Sequence, residues 1–364
     1  MNRALYKPSS KITGLGKTRR GRSPSGLAWT IVSSCLLLLG VGVSIARARQ
    51  FEHQMGANMV QVISSSQIPL PIVVANANGL FSKYGIMVHT EKAQNADELR
   101  ASILDGSANI AETPIEVPIS ILDSSLADVV IIMGGEGLTG ELMVQSNIKS
   151  VSDLRGKTIL IDKPDSMDTL ALKKILSLKK LDPGTDCDLK VIGPGPERLQ
   201  AMIFNKEYAA TIQEPPVSIL AKHAGMVSLG PVSKLMKMSR SQGMVAFTQR
   251  QWARQHASWV KGYIAAYVEA QRWLMNPANK ESAIELMAKQ SRLPADVSAE
   301  TYIAKLKNPN GWAKDAEFNL KGFKNDLKLW REFKPTIDKR PRRVGDFYDS
   351  SFYRQALLMF NGPE

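Results

Sequence analysis

The residues best placed to do chemistry are short, mostly polar groups that end apolar runs or precede helical patterns. They are Ser65, Ser66 and Gln67; Glu112 and Thr113; Leu138 and Thr139; Asp165, Ser166 and Met167; and Gln213 with Glu214. Loops of this kind before helix starts offer unpaired backbone N–H groups beside hydroxyl, amide and carboxyl side chains, which suits hydrogen-bonded capture of a small molecule. The plainer alternative at each position is helix capping. Bond-making chemistry has little support. His53, His89, His223 and His256 are scattered without metal-ligand spacing, and no nucleophile elbow, Walker loop or dinucleotide fingerprint occurs. Gly193-Pro194-Gly195-Pro196 looks like a phosphate loop, but its two prolines remove donors that such a cradle needs. No catalytic residue, metal site or cofactor is predicted.

The elements that must position these groups follow from periodicity and punctuation. Met59 to Ile63 is an apolar run suited to a buried strand. Pro69 and Pro71 open a helix through Ala77, Gly79 stops it, and Gly85 turns the chain into a strand from Ile86 to Thr90. This is one βαβ unit with a polar loop at the carboxyl edge of its first strand, where ligands bind in open α/β sheets. Ala96 to Leu104 predicts a helix and Ala108 to Ala111 a strand; Thr113 is then an N-cap, with Pro114 at the first helical position and Glu116 completing a capping box. Strands are predicted over Asp128 to Met133 and Glu141 to Gln145. Further strands follow over Thr158 to Ile161, Leu189 to Ile192, Tyr208 to Ile212, Met226 to Leu229 and Gly243 to Phe247. Asp165 is read as the cap of a helix over Thr169 to Leu178. From Gln249 onward the pattern is helical, including Ala313 to Trp330, and Trp252, Trp259, Tyr263, Trp273 and Trp330 recur on apolar stripes that read as core.

Two stretches resemble a known family. Prolines opening a helix, then Ala-x-x-x-Gly-Leu-Phe and a Gly before the next strand, are similar to the start of periplasmic solute-binding proteins serving nitrate, sulfonate, taurine and thiamine-precursor importers. Ile148-x-Ser150-x-x-Asp153-Leu154-Arg155-Gly156-Lys157 before a strand resembles the segment where such chains cross into the second lobe. The resemblance covers roughly residues 59–290 and implies a type II periplasmic-binding α/β fold. Each of its two lobes holds a mainly parallel sheet flanked by helices, with two crossovers and a helical carboxyl-terminal part. The implied lobes are 59–144 plus 243–330 and 145–242, followed by a basic tail over 331–364. Arg155 and Lys157 are read as structural.

Residues 1–48 carry Arg3, Lys7, Lys11, Lys17, Arg19, Arg20, Arg22 and Arg47 with no acid, so most of the +13 formal charge sits there and the body is only mildly basic. No basic patch interleaved with exposed aromatics argues for nucleic acid. Leu27 to Ile45 is an apolar run of signal-peptide or single-span length; Ala46-Arg47-Ala48 suits cleavage, retention would leave a membrane anchor, and Cys35 offers a weaker lipidation reading. All place the body outside the cytoplasm. Cys187 is alone there and reads as a half-buried loop residue without disulfide or metal role. The resemblance implies a small-molecule ligand and an ABC permease and ATPase as partners. The alternatives are an anchored sensory module and an enzyme of thiamine-precursor type, although the latter's cysteine-rich segment is lacking. The family's best-known ligands are oxyanions. Here the mouth loops hold Glu112, Glu136, Asp165, Asp168 and Glu214 with no base beyond Lys163, so the expected ligand is neutral or cationic, such as an amine or heterocycle.

Overall fold

The computed structural model describes residues 58–65, 67–334 and 342–360. The expectations for the amino-terminal segment, for Ser66 and for the basic run from Lys339 to Pro341 lie outside them. Among the described residues, no helix is long and apolar enough to cross a membrane.

Two five-stranded sheets organise the chain. The first runs β2-β1-β3-β10-β4, from β1 (Met59–Ser64), β2 (Met87–Lys92), β3 (Ile110–Pro114), β4 (Val129–Met133) and β10 (Met244–Gln249). The second runs β7-β6-β8-β5-β9, from β5 (Glu141–Val144), β6 (Thr158–Ile161), β7 (Asp188–Val191), β8 (Tyr208–Gln213) and β9 (Val227–Pro231). Their plans are the same. β1 pairs in parallel with β2 and β3, as β6 does with β7 and β8, and the fourth position in each is the one antiparallel strand. That strand comes from across the molecule: β10 returns from the second sheet to enter the first, and β5 leaves the first to enter the second. This is the two-lobed periplasmic-binding architecture.

The inner strands read as continuous apolar runs because both their faces are covered. Val129 and Ile131 pack into one core with Phe247, Leu99, Ile119 and Phe323, while Val130 and Ile132 face the opposite core with Ile72, Ile264 and Tyr263. Two buried faces require a continuous apolar run, and Val-Val-Ile-Ile-Met supplies it. The first core continues through Leu142, Ile159 and Leu170 of the second sheet's layer, so one apolar cluster joins the two lobes.

The helices are α1 (Leu70–Ala77), α2 (Leu80–Lys83), α3 (Ala96–Asp105), α4 (Glu116–Asp123), α5 (Met167–Leu178), α6 (Gly195–Phe204), α7 (Val217–His223), α8 (Val232–Leu235), α9 (Arg250–Gln255), α10 (Ala257–Met275), α11 (Lys280–Ser291), α12 (Ala295–Lys307), α13 (Leu320–Phe333), α14 (Val344–Phe347) and α15 (Ser350–Leu358). α12 and α13 brace the second lobe: Glu300 lies 3.2 Å from His223, and Glu332 lies 2.8 Å from Lys174.

Five expectations need correction. Glu141–Val144 pairs with β8 and β9, so the first crossing precedes residue 141 and the lobe boundary at 144 falls too late. The segment from Ser150 is a one-turn 3-10 helix, Val151–Leu154, with Ser150 and Asp153 forming its capping box; it lies inside the second lobe. Residues 313–319 are not helical, because their backbone serves the crossing: the Gly134 N–H donates to the Ala316 carbonyl at 3.1 Å. The tail beyond 342 is no loose linker, since Phe347, Phe352, Tyr353 and Ala356 are buried and the Asp349 N–H donates to the Ile131 carbonyl at 3.2 Å. Cys187 is also fully buried rather than half-buried, its thiol on the Leu154 carbonyl at 3.2 Å.

Candidate functional site

The carboxyl ends of β1, β3, β6 and β8 carry the polar groups, and the two crossing segments run beside them. The Leu138 N–H donates to Ser241 Oγ at 2.6 Å, tying one crossing to the other. Gly137 and Gly243 permit this approach: a Cβ on Gly243, at φ +56, would lie 2.5 Å from the Gly137 carbonyl carbon. Beneath them, Asp326 of α13 is fully buried and accepts the Gln242 N–H at 2.6 Å, while its other oxygen has no partner. Burial pushes the Asp326 carboxyl up to about 8 against that hydrogen bond.

On the first lobe, the Ser65 N–H donates to the Glu112 carbonyl at 3.1 Å, joining the ends of β1 and β3. Side chains alternate along a strand, so Glu112 shares the face of Ile110 and meets α10. There the Tyr263 hydroxyl donates to Glu112 Oε1 at 2.6 Å, with Glu112 2% exposed. Burial raises the Glu112 carboxyl to about 7, and the Tyr263 bond only partly opposes it. Burial and the neighbouring Glu112 hold the Tyr263 and Tyr267 phenols well above their usual range. Glu116, in the first turn of α4, is buried with Oε2 unpartnered; across the gap Lys163 Nζ stands 3.5 Å from its Oε1. Burial raises Glu116, and Lys163 opposes that rise.

Glu136, on the first crossing, pairs with Lys305 of α12 and accepts from Trp312 Nε1 at 2.9 Å. The Thr139 N–H donates to Glu214 Oε1 at 3.3 Å; its buried hydroxyl leans on the same carboxyl without completing a well-shaped hydrogen bond. Glu214 is exposed and Asp168 half-buried, although protein is dense around both. Burial raises both carboxyls; Asp168 is raised further by Glu214 and Asp162 and opposed by Arg198, whereas Lys305 holds Glu214 down. Arg198 is itself buried, donating to the Ile212 carbonyl at 3.0 Å and lying 3.6 Å from Asp162. Leu160, Asp162, Asp168, Thr169, Arg198 and Ile212 line a small recess in this wall.

The other nominated residues fall as follows. Thr113 is not an N-cap: β10 pairs along β3 as far as Pro114, so Thr113 stays in the ladder opposite Val245 and its hydroxyl turns to the Pro114 carbonyl at 3.0 Å. Glu116 accordingly closes no capping box. Asp165 does not cap α5; Ser166 does, accepting the Thr169 N–H at 3.2 Å, and Asp165 lies 3.7 Å from Lys334. Leu138 and Met167 sit in the apolar core. Gln67 is exposed, its carbonyl taking the Ser64 hydroxyl at 2.9 Å. Gln213 is buried and donates to the Gly195 carbonyl at 2.9 Å, which braces α6. The structure thus places Ser65, Glu112 and Thr113 at the strand ends of the first sheet, Thr139 on the first crossing against Glu214 at the end of β8, and Ser166 at the start of α5. Sequence reasoning did not nominate Tyr263, Lys305 or Arg198. A tyrosine on an apolar helix stripe needs a partner for its hydroxyl, and that was the one local signal for Tyr263. Among the described residues, no group of three His, Cys, Asp or Glu is arranged to hold a metal ion.

Residues 67–288 match the NMT1-like family. The curated Bacillus subtilis (strain 168) protein YtlA is 22% identical over 303 residues, which span 81% of this chain and 87% of that one. The Escherichia coli periplasmic aliphatic sulphonate binding protein SsuA superposes with a TM-score of 0.63 at 19% identity, over 76% of this chain and 87% of its own. The periplasmic nitrate-binding protein NrtA of Synechocystis PCC 6803 gives 0.67 at 15% identity, over 84% and 90%.

Proposed function

Since the chain belongs to the NMT1-like family, we propose that it is an extracytoplasmic solute-binding protein that hands a small molecule to an ABC permease and ATPase. Residues 1–48 would then serve as its export signal or membrane anchor. The observation that carries the reading is the convergence of strand ends from two sheets of identical plan onto two tied crossing segments. Such a site acts by binding, not turnover. A solute touching both walls stabilises the closed arrangement by its difference in affinity for closed and open forms, and the transporter reads that form. On this reading the first lobe comprises 59–133, 244–334 and 342–360, and the second 141–231, with 134–140 and 232–243 as the hinge. Ser65, Glu112, Thr113, Thr139, Ser166 and Glu214 are the proposed contacts. The favoured ligand is a neutral or cationic organic molecule rather than an oxyanion, since an anion would be desolvated beside carboxyls. Titration calorimetry paired with small-angle scattering tests this: solute binding should shrink the radius of gyration. Saturation by a solute with no change in dimensions would overturn the hinge reading.

A further inference from the structure

The charges around the cleft do not balance. The carboxyls of Glu112, Glu116, Glu136, Asp162, Asp168 and Glu214 face three cations, and each cation is engaged: Lys163 with Glu116, Arg198 with Asp162 and Lys305 with Glu136. Among the described residues no ion pair is made to Glu112 on the first lobe, nor to Glu214 and Asp168 on the second, which feel Lys305 and Arg198 only at a distance. Two buried side chains point independently to a missing partner, because Glu116 Oε2 and the Thr139 hydroxyl make no hydrogen bond while enclosed among these groups. A buried acceptor left without a donor is costly, and a ligand N–H is the natural complement. The carboxyls are spread rather than bunched, and among the described residues none are grouped to hold a metal ion. A point charge cannot serve them all.

Resting on the solute-binding reading above, we infer that the solute is an organic polycation, a di- or polyamine or an amine-bearing amidine, clamped between Glu112 on one lobe and Glu214 with Asp168 on the other. One protonated nitrogen lies against Glu112 beside Tyr263, whose ring lies 6.3 Å from that of Tyr267 at a tilt of 48°, and the electron-rich faces of such rings favour a cation. The other donates to Glu214 and Asp168. The chain between the nitrogens crosses the gap beside Thr139. Charge-assisted hydrogen bonds at both ends favour the closed lobes, and a monoamine supplies only one of them.

The test is titration calorimetry on the full chain with 1,4-diaminobutane, spermidine, butylamine, an aminopyrimidine, nitrate and ethanesulfonate, with scattering as the closure readout. The diamine or triamine is expected to bind at least tenfold tighter than butylamine. Glu112→Gln should bring the diamine down to the monoamine's affinity, and Asp168→Asn should do the same from the other wall, with both variants retaining the parent's circular dichroism. Closure on nitrate, ethanesulfonate or the uncharged heterocycle, with no response to the amines, overturns the polycation and leaves the solute-binding reading standing. Equal affinity for diamine and butylamine also overturns it. Failure of every probe, and of the small-molecule fraction of a cell extract, to close the lobes overturns both.

Discussion

Glu112→Gln gives the most direct measure of the cleft's electrostatics. The Glu112 carboxyl is raised from 4.5 to about 7 by burial, so the folded protein holds a proton there that the unfolded chain has released. The stability linked to this group is fully present below about pH 4.5, falls as pH rises and levels off above about pH 7. At 1.36 kcal/mol for each tenfold step in proton affinity, the loss amounts to about 3 kcal/mol. Gln keeps an oxygen for the Tyr263 hydroxyl at nearly the same volume and cannot ionise. The variant should therefore match the parent near pH 4.5 and exceed it by about 3 kcal/mol at pH 8. Urea unfolding of both proteins at half-unit steps from pH 4.5 to 8.5 reads this difference. Asp326 loses stability over an overlapping range but does so in both proteins, so it cancels. A difference that stays flat across the series would refute the reasoning, since Glu112 would then be as well solvated as in the unfolded chain. The stabilised variant should also be the poorer binder, because the ionised carboxylate is what a cation needs.

Other consequences follow from the hinge and the core. Asp326→Ala removes the acceptor of the buried Gln242 N–H and should cost about 1–3 kcal/mol in denaturant titration, with Asp326→Asn milder. Gly243→Ala places a methyl into the first crossing and demands φ +56 of a residue with a side chain; a lowered melting temperature and weakened solute affinity are expected together. Cys187 is buried, with its thiol pushed up by burial and by Asp186, so it should resist Ellman's reagent until the protein is denatured.

Sequence reasoning found the elements where local signals and burial agree. The buried strands β1, β4 and β6 are visible as apolar runs, the edge strands β2 and β7 only by the turns before them, and α1, α3, α6 and α10 begin where Pro, Asn or a turn requires. It failed where a remote partner decided. Thr113 has every local mark of an N-cap, but β10 arrives from residues 244–249 and keeps it in the sheet. Glu141–Val144 reads equally well in either lobe, and only its pairing with β8 and β9 places it. Residues 313–319 have helical composition, yet Gly134 needs the Ala316 carbonyl. The acidic side chains Glu112 and Glu214 were legible at strand ends because each follows an apolar run. The roles of Tyr263, Arg198 and Lys305 were not, because each depends on a contact far away in the chain.

The exchange of one strand between the sheets has a consequence for how the chain folds. Until residues 244–249 exist, β3 and β4 have no strand to join them, and each presents a bare backbone edge. A ribosome or translocon delivering this polypeptide from its amino end would therefore release a half-built first layer that stays adhesive until most of the second layer has followed. Closing that gap is a contact of long sequence separation, which slows assembly and favours chaperone escort. The same interlock makes either half incapable of completing itself when severed from the other.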